Sequence, residues 1–356
     1  MRRVLARAAA AFVVALALST GVATAQRADS PVHGLYHYVH STRDAERGFA
    51  FYRDVLGIEL TRSPFAGPPR ADAPPPQIQS AANAGSDPLV WDLTDTKGAR
   101  FRTVFMHAPN TPFGLELSEF FDIPRSERPA NAWDPGAPVQ TFAVRDLDAT
   151  FAAARERGAQ VVTVGGAPIE TRTGRAVLVR DPDGVLVRLV QASAAAMAAA
   201  GPGRIVATSI ALSVASTRDA LKFYRRLLKL DVHPSRRASR NELRVLGLDG
   251  GALTETLVTI PGTNIGVTLL EARPPKGAAP AMPFQWKLQD VGSPQFQLEV
   301  RELDALIART QAAGYRFLSL GAKPIQRAFG RFVFAIGPDG ELVEYVEPAE
   351  PGSAKE

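Results

Sequence analysis

The side chains able to do chemistry in this 356-residue chain are nitrogen and oxygen donors. It has no Cys, which removes disulfides, thiol nucleophiles and Cys-based metal sites together. Three histidines, His33, His37 and His40, share one apolar stretch, and Glu116 and Glu119 share another. Glu344 follows a Pro-Asp-Gly turn near the C-terminal end. Imidazoles and carboxylates bind divalent ions and move protons. Each also has an ordinary reading: a satisfied strand histidine, an acid paired with an Arg, or a strand residue facing water. Phosphate loop, dinucleotide fingerprint, HExxH pair and GxSxG elbow are all missing, so those chemistries have no support in the sequence.

The elements that must position these groups are written twice. Phe51-Tyr52 with Leu56-Gly57 returns as Phe223-Tyr224 with Leu228-Lys229, and Asp181-Pro-Asp-Gly184 returns as Gly337-Pro-Asp-Gly340. Apolar strands are expected at Leu35–Val39, Val139–Val144, Ile205–Val214 and Gln295–Val300. Each leads into an amphipathic helix, near 44–56, 147–158, 218–228 and 303–314. The Asp-Gly turns predict hairpins that join 175–179 to 185–190 and 331–335 to 342–346. The pattern is α+β: four βαβββ units paired into two tandem domains. Pro64–Gln77 reads as an inserted loop because of its prolines.

Arg2, Arg3 and Arg7, the apolar run Ala8–Leu18 and the small residues Ala23-Thr-Ala25 have the layout of a secretory signal peptide over 1–25. The expected order is then a first domain at 30–192, a linker at 193–203, a second domain at 204–348 and a tail at 349–356. Export to the periplasm or medium is the expected localisation, with no stable membrane anchor after cleavage. Loss of the leader's three Arg lowers the formal charge from +5 to +2, and the remaining basic residues are scattered. Nothing here points to nucleic acid.

The strand leading to Asp44, the Phe51-Tyr52 helix with Leu56-Gly57, the helix-ending Gly158 and Gly314, and the Pro-Asp-Gly hairpins resemble the vicinal oxygen chelate superfamily. That superfamily includes glyoxalase I, extradiol dioxygenases, fosfomycin-resistance enzymes and bleomycin-binding proteins. The resemblance covers nearly the whole chain after the leader. It is specific for fold and weak for function, because one fold hosts many chemistries.

Members of that superfamily place one metal ligand on the first strand of a unit and one on a later strand. Carried over by spacing, these places fall on His37 and Glu116 in unit one and on Val139 and Arg188 in unit two. They fall on Ser209 and Thr268 in unit three, and on Gln295 and Glu344 in unit four. Units two and three cannot hold a divalent ion with those residues. Pairing unit one with unit four assembles His37, Glu116, Gln295 and Glu344, as in two-domain glyoxalase I proteins whose sites form across domains. Such a set implies one divalent ion, Zn, Ni, Co, Mn or Fe, with positions open to substrate. Trp91, Phe101, Phe105 and Trp133 are candidate pocket walls.

The resemblance implies a metal-dependent lyase or isomerase acting on a small α-oxo or vicinal-oxygen substrate, with Glu344 shuttling the proton. The expected partner is a small molecule, and the chain a monomer or homodimer. One alternative is a metal-free, resistance-type binder. Another is an extradiol dioxygenase, which would want His, His and Glu in the second domain, where Ser209 and Gln295 stand.

Overall fold

A computed structural model describes residues 29–349 except 64–72, 110, 112, 264 and 280. The expected signal segment, most of the proline-rich loop and nearly all of the tail lie outside the described residues. The helix of unit one spans Ala45–Leu56. Asp44 caps it by accepting from the Arg47 N–H, and Gly57 closes it in a left-handed conformation (φ 70°). Its buried stripe, Phe51, Tyr52, Val55 and Leu56, faces the core. Burial of each such side chain contributes roughly 1.5–3 kcal/mol.

The other helices follow the same grammar with local departures. Leu147–Glu156 is capped by Asp146, and Leu303–Ala312 starts at Glu302. In unit three the α-helix covers only Thr217–Leu221 before a wider π turn carries the chain through Lys222–Leu227. The expected linker contains a short helix, Ala194–Ala199, because Ser193 caps it and the alanines favour it. The Arg145 guanidinium ties its end down by donating to the carbonyls of Met197, Ala200, Gly201 and Gly203.

The strands form two sheets, and each draws on both halves of the chain. The eight-stranded sheet runs Ile325–Arg327, Gly330–Ile336, Leu342–Pro348, Pro294–Val300, Val32–Ser41, Gly114–Phe121, Arg100–His107, Glu59–Leu60. It joins unit four to unit one through the antiparallel pair of Val32–Ser41 with Pro294–Val300. The ten-stranded sheet joins units two and three in the same way, through Pro138–Val144 and Ile205–Ser213.

Alternation along the strands separates a helix-facing core from an inner face. Leu115, Leu117, Phe296, Leu298, Val343 and Tyr345 are buried in one core cluster with Phe51, Tyr52 and Phe223. Their neighbours in sequence, Glu116, Gln297 and Glu344, point the other way.

Candidate metal centre across the first and last units

His37 stands on the Val32–Ser41 strand beyond a register shift between Leu35 and His37, directly opposite Gln297. Gln297 lies beside Glu344 on the parallel neighbour strand, and Glu116 lies beside Val39 on the other side. Four side chains drawn from both ends of the chain thereby converge, His37 and Gln297 alone being 260 positions apart. His37 Nδ1 is 3.0 Å from Glu116 Oε1 and 3.2 Å from Gln297 Oε1. Gln297 also hydrogen-bonds Glu344. Glu116, Gln297 and Glu344 are buried, while His37 keeps 15% side-chain exposure and forms the open lip.

The packing around His37 is specific. Its ring meets Tyr36 edge-on at 4.9 Å and Phe105 at 6.3 Å. On the other side it lies over Gly114, where even a Cβ would collide with the imidazole. Glycine is therefore required there for close approach rather than for backbone freedom.

The electrostatics are those of carboxylates short of donors. Burial pushes Glu344 up to about 8, helped by Glu116 and opposed by the hydrogen bond with Gln297. Burial, then Glu116, Glu299 and Glu344, raise the Tyr36 hydroxyl in turn. Glu116 Oε1 is buried without a hydrogen-bond donor, since the His37 contact is close but poorly aligned. Such an orphan oxygen is costly unless something binds it.

The structure brings together three of the four residues named from the sequence, His37, Glu116 and Glu344, and replaces the fourth. Gln295 is buried two residues along the strand, opposite Val39, where its Nε2 donates to Ser41 Oγ at 3.4 Å. Gln297 occupies the place facing His37. The reason is a shorter connection. His37 precedes its helix start at Ala45 by eight residues, whereas Gln297 precedes Leu303 by six. Equal spacing in all units therefore overshoots by two, which preserves the strand face and hides the error. The same correction replaces Val139 by Thr141 in unit two, for Thr141 faces Ser209 and precedes Leu147 by six.

The twin position in the other sheet is built from Ser209, Thr141, Thr268 and Arg188. Arg188 takes the register of Glu344, and its Nε donates to Thr141 Oγ1 at 3.1 Å. Its guanidinium lies in the field of Glu255, Arg236 and Glu242. A cation thus fills the twin place where a metal would need an anion.

Other residues resolve into structural roles. Glu119, not Glu116, is the acid paired with an Arg: Arg102 Nη2 reaches it at 2.6 Å and also binds Glu46. His33 Nδ1 lies 3.8 Å from Glu299. Of the four aromatic residues named as pocket walls, Phe105 touches His37, whereas Trp91 donates to the Ala99 carbonyl and Phe101 packs on Phe120. A further cluster, His40 with Asp181 and Asp183, was not marked by any spacing signal.

Residues 34–189 match the model of the Glyoxalase/Bleomycin resistance protein/Dioxygenase superfamily. No curated protein sequence matches the chain. Among solved structures, glyoxalase I from Zea mays is similar with a TM-score of 0.54 and 15% identity, over 88% of this chain and 92% of that one. A putative dioxygenase from Bacillus subtilis is similar with a TM-score of 0.51 and 12% identity, over 91% of this chain and 87% of that one. At such identities the likeness is one of fold. Residues 34–189 carry a domain of this superfamily, and the two-sheet fold of the whole chain is the one these solved structures share.

Proposed function

We propose that the chain is a metal-dependent lyase or isomerase of the glyoxalase I type. It would act on a small α-oxo or vicinal-oxygen substrate at one site shared by units one and four. The observation that carries this reading is the convergence of His37, Glu116, Gln297 and Glu344, with Glu116 Oε1 buried and lacking a donor. One imidazole nitrogen, one amide oxygen and two carboxylates fit a divalent ion of the Zn, Ni, Co, Mn or Fe group. When bound, the ion would supply a Lewis acid for adjacent substrate oxygens.

The chain's own groups do the rest. Burial raises Glu344 to about 8 in the ion-free site; ionised beside a divalent ion, it would take a proton from substrate carbon and return it at the neighbouring atom. Gln297 orients that carboxyl through its hydrogen bond. Tyr36 and Phe105 wall the imidazole and restrict water.

Metal bound per chain tests the reading. The mature protein, loaded and desalted, is compared with His37→Ala and Glu344→Ala. Each variant should hold one equivalent less than wild type. A wild type that binds no metal under metal-replete conditions would favour a metal-free, resistance-type binder. Metal kept by His37→Ala but lost by Glu344→Ala would refute the pairing of units one and four.

A further inference from the structure

A second set of donors converges in the helix-facing core. His40, fully buried, directs Nε2 toward Asp181 Oδ2 at 3.7 Å and Asp183 Oδ2 at 3.8 Å. The two carboxylate side chains are 0% and 4% exposed, and the three donor atoms lie within 4.8 Å of one another. At these distances no hydrogen bond forms, and His40 Nε2 and Asp183 Oδ2 have no partner. Unpartnered buried atoms on both sides of one gap point to something held between them.

The remaining oxygens lock this geometry. Asp181 Oδ1 accepts from the N–H groups of Asp183 (2.9 Å) and Val185 (2.8 Å), and Asp181 Oδ2 accepts from the Tyr52 hydroxyl at 2.8 Å. Asp183 Oδ1 accepts from the Arg43 N–H at 3.0 Å. Behind the imidazole, Gln140 Nε2 lies 3.4 Å from Nδ1, and Gln140 Oε1 has no partner. Turning that amide over puts Oε1 on an Nδ1–H and leaves Nε2 with a lone pair aimed at the carboxylates. Metal-binding histidines are oriented by such an acceptor on their far nitrogen.

The equivalent corner of the other half shows what the fold needs without this set. There Leu212 stands opposite Pro138 as His40 stands opposite Pro294. Gly337 replaces Asp181, and Glu341 takes over its bonds, accepting from the Tyr224 hydroxyl at 2.6 Å and the Asp339 N–H at 2.9 Å. The tyrosine–carboxylate bond and the turn persist in both corners. An imidazole facing two carboxylate oxygens occurs in one corner alone.

We propose that His40, Asp181 and Asp183 form a second divalent-cation site, of the zinc type, that fastens the first strand of unit one to the hairpin of unit two. A tetrahedral ion with bonds of ~2.0–2.1 Å sets its ligand atoms ~3.3–3.4 Å apart, so the imidazole closes on each carboxylate by a few tenths of an ångström from 3.7 and 3.8 Å, and the two carboxylate oxygens, within 4.8 Å of each other, draw in on the same ion. The ion neutralises two buried carboxylates that a neutral imidazole cannot. It touches none of the four residues of the proposed active site, and its role is structural.

The test is a count of zinc in the full-length chain, stripped, resaturated with Zn²⁺ alone and desalted, with melting temperature recorded before and after chelation. His40→Leu copies the residue that the other half carries, and Asp183→Asn removes a ligand charge with little change of shape. Each should hold one zinc fewer than wild type while retaining the equivalent that His37→Ala loses. Chelation should lower the melting temperature of both variants less than that of wild type. Zinc counts and chelation shifts equal to wild type in both variants would overturn the site. If His40→Leu does not fold, a wild-type count in Asp183→Asn overturns it alone.

Discussion

His37 and Gln297 touch at 3.2 Å across the seam between the first and last units. Gln295, two residues before, reaches Ser41 instead. The two glutamines share a strand, a face and near-complete burial, so they form a matched pair of controls. Gln297→Ala should weaken metal binding roughly 10–100-fold, the range for a lost supporting or ligating contact. Gln295→Ala should change it by less than about twofold by the same measure. Isothermal titration of each variant with one metal separates the outcomes, and equal losses would refute the assigned register.

Gly114 tests the packing of His37. A Cβ there collides with the imidazole, so Gly114→Ala must displace the ring or the strand. The expected cost is about 1–3 kcal/mol of stability from overpacking. It should come with loss of the same metal equivalent that His37→Ala loses. A variant that is destabilised yet binds metal like wild type would show that the ring's position is not critical.

Arg102 separates stability from chemistry on the same strands. It is 3% exposed and donates to Glu119, Glu46 and the Gln79 carbonyl. Arg102→Ala strands Glu119 in the interior, and breaking a buried pair in this way costs roughly 3–5 kcal/mol. Denaturant unfolding should register that loss, while the metal count of the folded fraction stays at the wild-type value.

Stability should fall as pH rises from weakly acidic to neutral. Burial raises Glu341 from 4.5 to about 7, despite the hydrogen bond from Tyr224, and raises Asp181 from 3.8 to about 6. A carboxyl whose folded value lies above its unfolded one binds protons better when folded. Its contribution is full below the unfolded value and is lost as pH rises through the folded one, so Glu341 gives a decline from about 4.5 to about 7 and Glu344, raised to about 8, carries it further. Melting temperatures of the metal-free protein at pH 5, 6, 7 and 8 should show that decline. Glu341→Gln should make it shallower, and an unchanged slope would mean that Glu341 titrates normally.

Much of this architecture was legible in the sequence because it rests on local signals. Asp44 and Gly57 bracket a helix through cap chemistry, and the Asp-Gly turns specify hairpins whatever surrounds them. The duplication exposed the contrast between His37 with Glu116 in unit one and Ser209 with Thr268 in unit three. What failed was a distance measured along the chain. Connections from strand to helix in units two and four are two residues shorter, and no residue type advertises a short turn there. His40 was invisible for a different reason: its partners Asp181 and Asp183 lie some 140 residues away and meet it only through the packing of Tyr52 against the next unit's turn.

The nested pairing of units, one with four around two with three, has a consequence for how the molecule is made. Until the last strands emerge from the ribosome, Val32–Ser41 has an open edge where Pro294–Val300 will dock. Units two and three, adjacent in sequence, can zip together earlier. The donor set is therefore finished only when residue 344 is in place, so a nascent or truncated chain carries a half-built pocket. The four side chains therefore meet only in a chain whose first and last units have both been made and paired.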